Sequence, residues 1–118
     1  MMQDIVETWI QRILAPLGWP VSQTPGDASQ PTWITWNLVQ GREYMAGNDA
    51  TRLTHMFQLH AYTHGENSEH REAFFAAVTA LKAAGAKVYS WGADEYEKDT
   101  GVCHIACTCT WRQHNGDV

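Results

Sequence analysis

The chain has 118 residues, 44% of them hydrophobic, and a net charge of −5, which predicts one globular domain over residues 1–118 with a substantial core. Its eight basic residues are scattered, so specific nucleic-acid binding is not expected. The N-terminus lacks a basic, apolar leader, and the apolar run Ala73 to Val78 is too short to span a bilayer, so neither secretion nor membrane insertion is expected. The three cysteines favour a reducing compartment.

An amphipathic helix is predicted over Asp4 to Ala15, because its apolar residues recur on one side of a helix. Pro16 and Gly18 end this helix, since proline removes a helical N–H and glycine accepts a left-handed backbone. The following stretch from Gln23 to Pro31 is rich in Pro, Gly, Ser and Asp. Such a composition predicts a loop.

A long hairpin is predicted over about residues 32–64. Apolar and polar residues alternate from Thr32 onward and again from Leu53 to Thr63, and a period of two is typical of strands with one buried face. Gly41 suggests a bulge or bend, and Gly47 begins a turn signal between the two runs. We therefore expect the hairpin to project at its Gly47 tip.

The clearest helix covers about residues 67–84. Asn67 or Ser68 can cap it, Gly85 can close it, and acidic residues occupy its first turns. Its predicted buried stripe consists of Phe74, Val78 and Leu81. A C-terminal strand pair follows over about residues 86–112, with a tight turn at residues 98–101. The element order is helix, two strands, helix, two strands.

All three cysteines lie in the segment GVCHIACTCTW, residues 101–111. In a strand, Cys103, Cys107 and Cys109 share one face with an isoleucine and a tryptophan, while His104 points the other way. Structural zinc sites usually use a Cys-x-x-Cys knuckle and a second ligand pair, and neither is present. We therefore predict that the thiols belong to the core and that no cofactor is bound, with a metal site as the alternative.

The histidines offer a second candidate metal site. In a regular strand, His60 and His64 share a face but lie about 13 Å apart, so one metal ion could join them only if the strand bends. The simpler interpretation is two sheet-face histidines, and His70 is expected to be an exposed first-turn residue. The acidic hairpin end at residues 94–99 could bind a cation but is more typical of a solvated edge. No residue pattern indicates catalysis, and a thiol enzyme ranks last because it needs an exposed cysteine beside a base.

In this order of elements, the sequence resembles the small tail-terminator or tail-completion proteins of long-tailed bacteriophages and prophages. The resemblance runs from about residue 4 to 113 and rests on the pattern as a whole. Its parts are the N-terminal amphipathic helix, the strand PTWITWNLV, the segment HMFQLHAYTHG, the helix NSEHREAFFAAVTALKAAG, and the acidic strand pair ending CHIACTCTWRQ.

The resemblance implies an α+β fold in which two helices pack on a mostly antiparallel sheet of about four strands. It also implies a structural protein, not an enzyme, whose subunits form a ring, commonly a hexamer, at the end of the tail tube. Its partners would be further copies of itself, the tail tube protein and the head-tail connector protein. Its location would be the bacterial host cytoplasm during assembly and then the virion tail.

Two groups of residues are candidates for these contacts. The oligomer-interface candidates lie in the hairpin and are Arg42, Glu43, Tyr44, Asn48, Asp49 and Arg52; the alternative is an ordinary exposed hairpin. The channel-lining candidates are Asp94, Glu95 and Glu97, because an acidic lumen would let DNA pass without sticking. The alternative function is a small metal- or ligand-binding α+β module, which requires the histidines or thiols to converge.

Overall fold

The computed structural model describes residues 2–39, 44–45, 53–65, 67–92 and 94–113. In this part of the chain, two α-helices pack on one face of a seven-stranded mixed sheet. The helices are α1 (Met2–Leu14) and α2 (Glu69–Ala83), and a 3-10 turn (Ala15–Leu17) follows α1. The strands are β1 (Val21–Gln23), β2 (Thr32–Leu38), β3 (Tyr44–Met45), β4 (Leu53–His64), β5 (Lys87–Trp91), β6 (Glu95–Glu97) and β7 (Val102–Gln113).

The sheet has the strand order β1-β2-β4-β7-β5, with β3 beside β4 and β6 beside β7. Among the described strands, only the β1–β2 pair is parallel. The α+β class and the mostly antiparallel sheet are therefore confirmed, but the expected number of about four strands is wrong. The additional strands β1, β3 and β6 have only two or three residues each, which is too short for a period of two to be visible in the sequence.

The predicted hairpin forms between β2 and β4, which pair from Thr32 opposite Thr63 to Leu38 opposite Phe57. Its predicted bulge at Gly41 and tip at Gly47 lie outside the described residues. β4 also pairs with β7 along its full length of twelve residues. These two long central strands form the spine of the sheet, and every other strand pairs with the spine directly or through β2.

The core lies between the helices and one face of the sheet, here called the inner face. It holds Trp36 of β2, Phe57 of β4 and Trp111 of β7, all at most 4% exposed. Trp9 of α1 stacks on Trp111 with 4.3 Å between the ring centroids and meets Phe57 edge-on. Burying one large apolar side chain contributes about 1.5–3 kcal/mol, so this cluster holds α1 against the sheet near Trp111, toward the C-terminal end of β7.

The predicted cap of α2 at Asn67 or Ser68 and its predicted end at Gly85 are both confirmed. The predicted stripe of Phe74, Val78 and Leu81 is confirmed as well, because all three side chains are buried. Ser68 has a left-handed backbone (φ 65°) and makes no side-chain cap. Instead, the backbone N–H of Glu69 donates to Oδ1 of Asn67 at 3.0 Å. At the C-terminal end, Gly85 adopts φ 104°, a conformation that glycine tolerates without strain.

The face opposite the helices is here called the outer face, and over β2 it is covered by a loop. The loop at residues 24–30 crosses there, and Gly26, with φ 79°, lies so close that an added side chain would overlap Thr35 and press against the ring of Trp33. Both residues are therefore buried, at 0% and 4% exposed. The outer face of β4 and β7 remains partly exposed and carries His60, His64 and His104.

Candidate functional site

The three cysteines lie on the inner face of β7, as predicted, and all are buried. The Sγ atoms of Cys107 and Cys109 are 3.6 Å apart. The hydrogen bond with Cys107, together with burial, raises the pKa of the Cys109 thiol. A buried thiol that keeps its proton is a poor nucleophile and a poor metal ligand. Because all three cysteines are buried on the inner face, they pack as small apolar groups in the core.

A chain of polar side chains crosses the outer face from β7 to β2. His60 Nδ1 lies 3.0 Å from His104 Nε2, and His60 Nε2 lies 3.0 Å from Oδ1 of Asn37. Because Asn37 Nδ2 donates to Gln58 Oε1 at 3.4 Å, its Oδ1 faces His60 and can only accept. His60 therefore donates from Nε2, and its Nδ1 accepts from the Nε2–H of His104.

The imidazoles of His60 and His104 are both neutral at neutral pH. Burial, with a smaller contribution from His104, lowers the pKa of His60 to about 4. Burial also lowers the pKa of His104, although Glu97 and Glu95 act in the opposite direction. The ring of Tyr62 stacks on His104 at 4.4 Å, so a flat aromatic neighbour holds the imidazole in place. The pair forms a neutral N–H···N contact.

His60 and His64, weighed above as a candidate metal pair, are not hydrogen-bonded to each other. His64 Nε2 instead donates to the carbonyl of Ala28 at 2.7 Å. Within the described ranges, two pairs of histidine or cysteine side chains come together: His60 and His104, whose nitrogens point at each other in a hydrogen bond, and Cys107 and Cys109, whose sulfurs are buried in the core. Across the ranges that the structure describes, no three His, Cys, Asp or Glu side chains gather closely enough to hold a metal ion.

The prediction that His70 is exposed is wrong, because only 2% of it is accessible. Its Nε2 donates to Oδ1 of Asp94 at 2.7 Å, and Nε of Arg71 donates to the other carboxylate oxygen. Burial raises the pKa of Asp94, but these two hydrogen bonds outweigh it and hold the pKa below its ordinary value. The cluster ties the segment between β5 and β6 to the first turn of α2.

The three channel-lining candidates have different surroundings. Asp94 is bound to α2 through His70, as described above. Glu95 and Glu97 are exposed on β6 and lie opposite His104 and Val102 of β7, on the outer face. Of the interface candidates, Tyr44 belongs to β3, where its backbone pairs with Thr54. The other five, residues 42, 43, 48, 49 and 52, lie outside the described part of the chain.

A surface that sequence reasoning missed lies at the β5 edge of the sheet. Four large hydrophobic side chains are about half exposed there or nearby, namely Phe75, Tyr89, Trp91 and Tyr96. Phe75 and Trp91 are in contact, with 5.4 Å between their ring centroids. The position of Phe75, one residue off the buried stripe of α2, was the available signal in the sequence. The exposure of Trp91 follows from the edge position of β5, which the sequence does not reveal.

No protein-family model matches the chain, and no curated protein matches it. Within the described ranges, neither helix combines the length and apolar character needed to cross a bilayer. The functional argument therefore depends on the surfaces described above and on the resemblance in the pattern of the sequence.

Proposed function

We propose that this protein is a structural component of a bacteriophage or prophage tail, a tail terminator or completion protein. In this proposal, its subunits form a ring, commonly a hexamer, at the end of the tail tube and contact the head connector. The observation that carries the proposal is the pair of half-exposed aromatic side chains Phe75 and Trp91, which touch each other beside β5, an outermost strand of the described sheet. Interfaces between protein subunits are enriched in such aromatic side chains.

The architecture supports assembly through the edges of the sheet. The order β1-β2-β4-β7-β5 leaves β1 and β5 as the outermost strands on opposite sides. An outermost strand presents backbone N–H and C=O groups that another chain can pair with. Two different edges on opposite sides of one subunit allow head-to-tail contacts, and these close into a ring when the rotation between neighbours permits it.

The charge distribution is compatible with a ring through which DNA passes. Glu95 and Glu97 add exposed negative charge to the outer face, and the whole chain carries −5. Negative charge repels phosphate groups, so a lumen lined by this face would not retain DNA. We therefore propose that Glu95 and Glu97 line the lumen. Asp94 has a second role, because its hydrogen bonds with His70 and Arg71 anchor the first turn of α2.

The alternative proposal, a small metal- or ligand-binding module, has one supporting observation. His60 and His104 meet on the outer face with 3.0 Å between their nitrogens, and neutral imidazoles are the form that binds metals. The alternative is weaker because both nitrogens are already engaged with each other. A stoichiometric zinc adduct in native mass spectra that disappears in the His60→Gln protein would favour this alternative over the tail protein.

Immunogold electron microscopy of phage particles, made by cells that encode the chain, tests the tail assignment. We expect antibodies against the protein to label tails at the end that joins the head. Tails assembled without the protein should fail to join heads and should be rescued by adding it. Labelling of no particle, together with normal head joining in its absence, would refute the proposal.

A further inference from the structure

Cys107 and Cys109 form a close pair of thiols on the inner face of β7, here called the thiol pair. Their Sγ atoms are 3.6 Å apart, and neither belongs to a disulfide. In a strand, the Cα atoms of residues two positions apart are separated by about 6.4–6.8 Å, which is the upper end of the range that a disulfide spans. A small local movement would therefore bring the two sulfurs within bonding distance.

The strand beside the thiol pair is irregular. Val88 of β5 lies opposite Cys109 and Trp91 lies opposite Cys107, and the register shifts between these two positions. A cleft of about 190 Å³ lies at the shift, and Cys107 is one of its lining residues together with Trp91 and Gly92. Cys109 is fully buried and Cys107 is 3% exposed. A reagent that reaches the pair from this edge of the sheet must therefore be small.

The two thiols differ in acidity. Their mutual hydrogen bond lowers the pKa of the Cys107 thiol, against the effect of burial, and raises the pKa of the Cys109 thiol. The thiolate is the form of cysteine that reacts with oxidants. Cys107 is therefore the nucleophile of the pair, and Cys109 holds the shared proton.

We infer that the thiol pair is a modification site at which a small peroxide oxidises the two thiols to a disulfide. The Cys107 thiolate attacks one oxygen of hydrogen peroxide, so that an S–O bond forms, the O–O bond breaks, and the departing hydroxide takes up a proton to become water. Sγ of Cys109 then attacks the Cys107 sulfenic acid. The S–S bond forms, the S–O bond breaks, and the hydroxyl group leaves as water with the proton of Cys109. The two thiols lose two electrons, and the peroxide gains them.

The short distance between the sulfurs favours the disulfide over further oxidation. Cys109 Sγ already lies close to the distance at which reacting groups are well placed, whereas a sulfinic acid needs a second peroxide to enter the buried site. A bridge at the upper end of the disulfide range is strained, and strained disulfides are readily reduced. A small thiol should therefore reverse the modification. The inference does not depend on the proposed tail function.

The test counts thiols after the native protein has been exposed to hydrogen peroxide. Samples are quenched, unfolded and alkylated with iodoacetamide, and mass spectrometry counts the alkyl groups. Cys103→Ser is the matched control variant, because Cys103 is buried on the same face of β7 but donates from Sγ to the carbonyl of Gly65 at 3.2 Å. Cys107→Ser removes the nucleophile, and circular dichroism verifies that both variants fold. Peptide mapping of the wild type locates the bridge without relying on either variant.

We expect the oxidised wild type to take up one alkyl group in place of three, and the oxidised Cys103→Ser protein to take up none in place of two. The Cys107→Ser protein should keep both of its remaining thiols. The thiol pair should disappear at least about tenfold faster than the Cys103 thiol, at a rate that does not rise in urea below the unfolding transition. Dithiothreitol should restore the full count.

Three outcomes would overturn the inference. Loss of all three thiols at one rate, or at a rate that follows the unfolded population in urea, would show that the native arrangement does not direct the reaction. Sulfinic or sulfonic acids on separate cysteines, without a bridge, would show that the two sulfurs do not meet. A native thiol pair that stays reduced at peroxide levels that oxidise the urea-unfolded chain would show that peroxide does not reach it.

Discussion

The hydrogen-bonded pair His60 and His104 on the outer face makes the free energy of unfolding depend on pH. The substitution His60→Gln separates the contribution of His60. The folded protein holds the pKa of His60 at about 4, compared with the ordinary value of 6.5. The unfolded chain therefore binds more protons than the folded protein between these two pH values. The contribution of His60 to stability is complete above pH 6.5 and is lost as the pH falls toward about 4. His60→Gln removes this titration and keeps a side chain that can form hydrogen bonds.

The size of the effect follows from the difference between the two pKa values. At about 1.4 kcal/mol per pKa unit, the full difference corresponds to about 3.5 kcal/mol of unfolding free energy, which is an upper limit. His60 is only partly buried, and solvent screening reduces the contribution to about 1–2 kcal/mol. His104 remains in the His60→Gln protein, and burial lowers its pKa as well. A part of the pH dependence should therefore persist.

Urea unfolding followed by tryptophan fluorescence measures the effect at about pH 7 and about pH 4.5. Over this range the wild type should lose about 1–2 kcal/mol more unfolding free energy than the His60→Gln protein. His64→Gln is the matched control, because it makes the same substitution at an exposed position of the same strand. Equal losses in the wild type and His60→Gln would refute the account of the outer-face histidines.

Three further predictions concern stability. Replacing buried His70 with Asn should lower the unfolding free energy by about 2–3 kcal/mol, because its carboxylate partner loses a charged hydrogen bond; a change under about 0.5 kcal/mol in urea unfolding would contradict this. Gly26→Ala should lower the melting temperature more than Gly85→Ala. Both glycines have a left-handed backbone, but only the methyl group added at Gly26 would overlap a neighbour, Thr35. Equal decreases in the melting temperature would refute the close approach of Gly26 to Thr35. Cys109→Ser should lower the unfolding free energy by about 1–3 kcal/mol, because it buries a hydroxyl group. Since the thiols are assigned to the core, a chelator should leave the wild-type melting temperature unchanged, and a decrease on adding chelator would contradict this assignment.

The regular elements could be predicted from sequence because their signals are local. The alternation on β4 and β7 identified which residues face the core, and the structure buries Phe57 and all three cysteines accordingly. The stripe on α2 and its closing glycine were equally visible. The short strands β1, β3 and β6 have only two or three residues each and pair with longer neighbours. Two or three residues are too few to show an alternation of apolar and polar residues, so the sequence could not predict these strands.

The candidate site was harder to predict because pairing register decides it. His60 and His104 are 44 positions apart, and they meet only because β4 and β7 pair in one particular register. The burial of His70 similarly depends on Asp94, which follows β5 and returns to the start of α2. A helix pattern assigns positions to faces, but it does not show that a distant loop will cover the first turn. The exposed position of Trp91 depends on which strand ends at the edge.

Native mass spectrometry of the wild-type chain, purified without chelator over a range of concentrations, tests the central proposal most directly. The proposal predicts metal-free oligomers with a closed subunit number, six in the expected ring, that grow in abundance with concentration. A stoichiometric metal adduct on a monomer that never associates, even in the presence of phage tails, would contradict it.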